Sequence, residues 1–254
     1  KFVTKSKLSD ISPELDQLRY THLWQPLAAL AKLVESALIM IQTHMASNWG
    51  LTIVIFSILL KFLLLPIDIM TACFQRRVNQ VKAQLTPELV KIKAEHDGEV
   101  AHNRLMKIHK DLGVSPFYTL KPMLGALIQI PILIAVFNAL AEMPQLNGQS
   151  FLWIKNLAYP DSVGHFSFTI PMLGDTISLL PFIMTVATLY STIIFQNLHA
   201  AEVELKRQKR NLYLMAAAFF VLFYPFPAAM VLYWTLANIF QAVQQHIIKI
   251  QNEK

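Results

Sequence analysis

The sequence predicts an all-α polytopic membrane protein with five transmembrane helices. Three observations carry this. The chain of 254 residues is 54% apolar and only 15% charged, too apolar for an ordinary soluble domain. Several apolar runs approach the roughly 20 residues that cross a bilayer. The 22 Lys and Arg residues gather in alternate connecting segments, as the positive-inside rule expects. The single cysteine, Cys73, excludes an internal disulfide and a Cys-rich metal site.

Residues 1–22 are polar and weakly patterned. They lack an initiator Met and a signal-peptide pattern, so they are expected to be the tail of an upstream segment. In 23–49 apolar residues recur at helical spacing: Leu27, Leu30, Ala31, Val34, Leu38, Ile41 and Met45. Lys32, Glu35, Gln42 and His44 interrupt them. This predicts an amphipathic helix lying in the membrane interface; a packed core helix has the same spacing. Ser47-Asn48-Trp49-Gly50 breaks the pattern and sets a Trp at headgroup level.

The first span is 50–70, with Pro66 near its end as an expected kink. Its middle carries Lys61, with Ser57 one turn earlier on the same face. Residues 71–120 hold two helical patterns, about 74–95 and 99–112, broken at His96-Asp97-Gly98. They predict a soluble αα-hairpin. The second span, 121–141, contains Pro122, Gln129 and Pro131. Residues 142–176 read as a loop. The third span, 177–198, has Pro181 in its first turn and Thr185, Thr188 and Thr192 along one stripe. A charged linker, 199–209, leads to a fourth span, 210–225. Its apolar part is short, so it extends through the Pro225-Phe226-Pro227 turn or the bilayer thins there. The fifth span, 228–247, carries Tyr233 and Trp234, and 248–254 is a short tail.

Basic residues orient the spans. Arg76, Arg77, Lys82, Lys91, Lys93, Arg104, Lys107 and Lys110 lie in the hairpin, and Lys206, Arg207, Lys209 and Arg210 around the second linker. Loop 142–176 has Lys155 alone. The hairpin, linker and C-terminus are therefore expected in the cytoplasm and the N-terminus outside.

Lys61 is the most informative residue. A lysine at mid-membrane costs about 2.5–3.5 kcal/mol on insertion scales and faces a bundle interior or a watery cavity. The plain alternative is a structural cation paired with a carboxylate. Glu142 and Asp175 fall near the outer ends of spans, and Asp68 is about 10 Å away along the axis. Hydration in a cavity is therefore expected. Ser57 as a site residue competes with a hydroxyl bonded to its own helix. The threonine stripe competes with helix packing by small residues. Gln129 competes with satisfying a carbonyl freed by Pro131. Tyr233 and Trp234 compete with core packing or anchoring.

The eight histidines show no paired ligand spacing, and no phosphate loop or catalytic set appears. No metal, cofactor or enzymatic chemistry is expected. Glu88, Glu95, Asp97, Glu99 and Asp111 interleave the basic hairpin, which favours a face near anionic lipid over nucleic-acid recognition.

A series of short motifs resembles the YidC/Oxa/Alb membrane-protein insertases, and bacterial YidC in particular. They are Asn48-Trp49-Gly50, then Lys61 and Leu65-Pro66; Gly113-Val114-Ser115-Pro116 and Gln129-Ile130-Pro131-Ile132; Phe151 to Leu157; Leu180-Pro181; Phe226-Pro227, Val231-Leu232-Tyr233-Trp234, Asn238 and Gln244-Gln245. They occur in family order over about 23–247. Leu23 to Leu27 resembles the segment that follows the large periplasmic domain of bacterial members; no such domain lies within this chain.

The resemblance implies five helices around a hydrophilic groove open to the cytoplasm and to lipid and closed outside. It implies a mobile cytoplasmic hairpin, a multi-pass protein of the bacterial inner membrane, and insertion or chaperoning of nascent membrane proteins without a cofactor. The groove residues would be Lys61, Ser57, Gln129, Thr185, Thr188, Thr192, Tyr233 and Trp234. Partners would be nascent chains and the bilayer, with a Sec-type translocon and the ribosome as further candidates, and a monomer suffices. Three positions depart from the family. Lys61 stands where Arg is usual, keeping the charge but losing the planar fork. Ala229 stands where Gly is usual, and the tail 249–254 is shorter than the long basic ribosome-binding tail of some members. The rival functions are a small-solute transporter or channel, which predicts repeats not seen here, and a chaperone that holds subunits without inserting them.

Overall fold

The computed structural model describes residues 20, 22–95, 98–111, 113, 115, 117–170, 173–194 and 202–252. Seven α-helices run through these described residues: α1 Gln25–His44, α2 Trp49–Glu95, α3 Gly98–Asp111, α4 Lys121–Glu142, α5 Leu180–Ile194, α6 Glu202–Phe223 and α7 Ala228–Asn252. Between α4 and α5 lies an antiparallel pair of strands, β1 Gly164–Ile170 and β2 Gly174–Ile177. By length and composition Gln25–His44, Trp49–Val81 and Met123–Glu142 are long and apolar enough to cross a membrane. Leu180–Tyr190 is apolar but shorter.

The chain divides into two compact units. One is drawn from Lys1–Phe62, Pro131–Gln196 and Lys206–Lys254, the other from Leu63–Ile130 and Asn197–Leu205.

In the first unit, α1 buries Ala31, Val34, Leu38 and Ile41, the predicted face, while Leu33 and Met40 stay exposed on the other side. Apolar exposure on the unpacked side of the helix suits a lipid solvent, where the drive to hide such groups is absent. Glu35 is buried on the packed face, where its Oε2 accepts a hydrogen bond from the Tyr20 hydroxyl at 2.9 Å. Asn48 starts α2 as its cap: Oδ1 accepts from the Leu51 N–H at 2.8 Å. The core joins Ile53 and Phe56 of α2, Ala135, Val136, Ala139 and Leu140 of α4, Leu180 and Met184 of α5, and Ala228 to Tyr233 of α7. Leu146, Ile154 and Leu157 of the 143–163 loop are buried in that same core.

In the second unit Leu64, Val78, Leu85 and Ile92 of α2 are buried. A Cβ at Gly125 of α4 would collide with Thr71 of α2. The missing side chain is what lets the two helix backbones approach so closely. Gly113, at φ +63°, follows α3, and its N–H reaches the Lys110 carbonyl at 3.0 Å. That is a left-handed glycine at a helix C-terminus.

The structure differs from the sequence expectations at four places. α2 runs unbroken through Pro66 and Pro87 to Glu95, whereas the pattern predicts a span boundary at 70. A shift from apolar to amphipathic pattern marks a change of surroundings, and the helix itself continues through it. The chain is not all-α, because strands lie in the 142–176 segment; β1 alternates apolar and polar residues over only a few positions. α5 begins at Leu180, not 177, because β2 holds the chain extended to Ile177. The expected 199–209 linker is helical from Glu202 onward as the first part of α6. Its charges lie on a helix that becomes apolar at Leu212. Several segments that carry sequence expectations lie outside the described residues: 1–19 of the N-terminal tail, the His96-Asp97 break, and 195–201, where the third span was expected to end and the linker to begin.

Candidate functional site

α2 places Lys61 half-buried, and its Nζ donates to Oε1 of Gln241 on α7 at 2.7 Å. A turn and a half earlier Phe56 meets Tyr233, with ring centroids 6.4 Å apart. The two helices therefore touch at two levels. Sequence reasoning gave Lys61 water and did not pair it with Gln241. The structure joins the two, and a hydrogen bond to a charged group contributes about 1.5–3 kcal/mol. A pairing across 180 residues leaves no trace in local spacing. Gln244, one turn further on α7, has a buried Oε1 with no hydrogen-bond partner among the described residues.

The other sequence candidates are spread more widely. Ser57 is buried, and its Oγ donates to the Ile53 carbonyl at 2.7 Å, the local bond set against it above. Thr185 and Thr188 share a face of α5; they donate to the Pro181 and Met184 carbonyls at 2.7 and 2.8 Å. The side chain of Thr192 lies outside the described residues. Gln129 is exposed and belongs to the second unit. Tyr233 is buried and Trp234 half-buried. Trp234 stacks on Phe223 at 5.6 Å and meets Phe137 edge-on at 5.9 Å, while Phe137 also meets Tyr233 edge-on at 6.3 Å. Both aromatics are thus built into a ring cluster that fixes α7 against α4 and α6. Outside the spans, burial pushes the Tyr118 phenol up; its ring lies 6.2 Å from that of His109.

Sequence reasoning missed the segment that positions α5 and α7. Asp161 is 2% exposed, and its Oδ2 accepts the Leu179 N–H at 2.8 Å, the Leu180 N–H at 2.9 Å and the Trp153 Nε1–H at 3.2 Å. Pro181 has no N–H, and those of Phe182 and Ile183 reach the Leu179 carbonyl at 3.1 Å. Every donor at the start of α5 is therefore satisfied. At α7 the Ala228 and Ala229 N–H groups donate to the carbonyls of Tyr159 and Leu157 at 2.8 and 3.0 Å, and those of Met230 and Val231 to Pro227 at 3.0 and 3.2 Å. One loop caps two helices. The only signal in the sequence was an acidic residue upstream of a helix start, since the capping residue is not adjacent to the helix it caps.

Tyr224, at the end of α6, ties β2 to the same place. Its hydroxyl donates to the Thr176 carbonyl at 2.6 Å and accepts the Ser178 N–H at 3.2 Å. Tyr224→Phe leaves both groups without this partner. It is expected to destabilise the protein by about 1–3 kcal/mol, read as a lower melting temperature in lipid nanodiscs. An unchanged value would show that water replaces the hydroxyl.

A family model described as 60Kd inner membrane protein matches residues 40–254. The chain is similar to a membrane protein insertase YidC from Chlorobaculum tepidum, 31% identical over 201 residues, covering 78% of this chain and 32% of that protein. It is likewise similar to one from Chlorobium luteolum, 32% identical over 204 residues, covering 80% of this chain and 33% of that protein. The chain thus spans about a third of the length of these curated relatives. Among solved structures, an active YidC insertase with its first transmembrane domain resolved matches with a TM-score of 0.51 at 21% identity. That match covers 87% of this chain and 45% of the other, and is a likeness of fold.

Proposed function

This chain belongs to the 60Kd inner membrane protein family, the YidC/Oxa family, and from that premise we propose that it inserts and helps to fold nascent membrane proteins. The observation that carries the reading is a cation within an apolar helix, half-buried and held by an amide oxygen of a neighbouring helix. The Gln241 amide is neutral, so this bond orients the ammonium without itself supplying an opposing charge. A cation at this depth, beside the Gln241 amide, lowers the cost of placing a polar stretch of substrate at mid-bilayer. The apolar part of the substrate slides past α5 and α7 into lipid, driven by burial of its own apolar surface. The membrane potential acts on its charges.

In this reading the protein is a multi-pass protein of the bacterial inner membrane. Five spans, with the N-terminus outside and the C-terminus inside, surround a groove open to the cytoplasm and to lipid. The distribution of basic residues supports that orientation. The Arg- and Lys-rich part of α2 and α3 form a cytoplasmic hairpin that receives substrate, and α1 lies in the interface. Ser57, Gln129, Thr185, Thr188, Thr192, Tyr233 and Trp234 join Lys61 as groove candidates, Ser57 and the threonines through packing as much as contact. Insertion here needs no covalent chemistry, and a monomer can perform it. Nascent chains and the bilayer are the partners, with a Sec-type translocon and the ribosome as further candidates. A solute transporter or channel is the less favoured reading, given relatives named as insertases.

The test is insertion by reconstituted vesicles. Lys61→Gln removes the charge and is expected to slow insertion of substrates with polar outer segments by about 10- to 100-fold, the equivalent of the 1.5–3 kcal/mol of one charged hydrogen bond. Lys61→Arg is expected to retain activity. Equal activity of all three proteins on several such substrates would overturn the reading. A cysteine at position 61, with Cys73 replaced, is expected to react with impermeant reagents from the cytoplasmic side alone. Reaction from both sides would favour a channel.

A further inference from the structure

Strand β1 presents two unlike faces. Phe166 and Phe168 lie on one, their ring centroids 5.6 Å apart. Phe168 is 64% exposed, and Val163 at the strand entrance is 50% exposed. His165, Ser167 and Thr169, the intervening positions, are exposed as well, and the pairing with β2 shifts register between His165 and Ile170. The strand thus has the alternation of a sheet with one apolar and one wet side, yet the described residues leave the apolar side open. A lone two-stranded hairpin is at best marginally stable in water, so an exposed aromatic face on one needs a cover.

Where the hairpin is rooted says what the cover is. The Val163 N–H donates to the Ile177 carbonyl at 2.9 Å and closes the base. Asp161 and Tyr224 hold the residues on either side of that base. Two residues after β2, α5 begins and exposes Phe182, Val186 and Tyr190, one apolar face at i, i+4 and i+8. In an inner-membrane protein that face meets lipid, and Leu179, between β2 and α5, is half-exposed as well. β1 bears no fixed charge, and β2 bears Asp175 alone. The aromatics Trp153 and Tyr159 in the same loop are exposed too, as suits a headgroup-level belt.

We propose that the β1–β2 hairpin is a membrane-surface anchor: Phe166 and Phe168 insert into the lipid interface beside the Leu180 end of α5, while His165, Ser167 and Thr169 face water. This rests on the membrane location of the chain and not on the insertion reading, so either stands if the other fails. The occupant is phospholipid rather than a second protein because the hairpin leads directly into a lipid-facing helix.

The test uses the full chain with Cys73 replaced by Ser, reconstituted in vesicles of phosphatidylcholine and phosphatidylglycerol with no other protein present. A spin label is placed through Phe168→Cys or, separately, Ser167→Cys and Thr169→Cys. Power-saturation electron paramagnetic resonance then compares collisions with oxygen, which partitions into lipid, and with a water-soluble nickel chelate. Oxygen is expected to dominate several-fold at 168 and the chelate at 167 and 169. Water-like accessibility at 168 would overturn the proposal, as would a label at 168 closed to both reagents, which means protein covers that face. Because these are exposed positions, loss of folding is not expected; unchanged melting of each labelled protein verifies this. A Phe168→Ser substitution gives a second reading, since it is expected to make the label at 167 more mobile by releasing the hairpin from the surface. No change in mobility would also count against the anchor.

Discussion

Asp161→Ala is expected to destabilise the protein by about 3 kcal/mol, because the buried N–H groups that lose their only acceptor each cost about 1–3 kcal/mol. Three donors converge on one carboxylate oxygen. Two are backbone groups at the start of α5, where the helix dipole also favours a negative charge. Pro181 prevents the helix from being extended backward to satisfy them in another way. Asp161→Asn keeps an oxygen in the same place and loses the charge, so its expected cost is smaller, about 1 kcal/mol. Trp153→Phe removes one donor and leaves both backbone bonds, and is expected to cost least. Thermal unfolding in nanodiscs gives the ranking. If Ala and Asn melt alike, the carboxylate is not acting as a cap.

Gly50→Ala has the second large effect, a loss of about 1–3 kcal/mol from overpacking. A Cβ at residue 50 would fall within the Phe151 ring and close to that residue's own Cβ. The ring cannot simply swing aside, because Phe151 and Ile154 exchange backbone hydrogen bonds at 2.9 and 2.8 Å. Relief requires either the 143–163 loop or the start of α2 to move. Phe151→Ala opens a cavity by itself, yet in the double variant the new methyl group occupies part of that space. The pair is therefore expected to melt higher than the two separate losses predict. Strict additivity would mean that the two residues do not touch.

Apolar runs, helical spacing and basic segments made most of the helices legible, since each is a local signal. α1 followed its spacing at Ala31, Val34, Leu38 and Ile41, and the series of family motifs agrees with the family to which the chain belongs. What stayed hidden was non-local. Lys61 and Gln241 are far apart in the chain, so spacing could set Asp68 out of reach but could not bring Gln241 to Lys61. The continuity of α2 was hidden because hydropathy reports surroundings, whereas helix formation depends on backbone bonds that Pro66 interrupts only locally. Strand β1 was too short for its alternation to stand out. Among the candidate residues, Ser57, Thr185 and Thr188 were visible as hydroxyls on helices, but only the structure shows that each is occupied by its own backbone.

The two helix caps built by the 143–163 loop differ in how they are inherited. At α5 the acceptor is a side chain, so a single codon holds the bond and a substitution at 161 can erase it. At α7 the acceptors are the main-chain oxygens of Leu157 and Tyr159, which every amino acid possesses. A residue-by-residue mutational scan would find the first anchor at one position and record little at the second, even though α7 carries Gln241 and Trp234. Only changes in the path of the loop, such as an insertion, a deletion or a misplaced proline, would reveal the second anchor. Tolerance to substitution in this loop is therefore a poor guide to its structural weight.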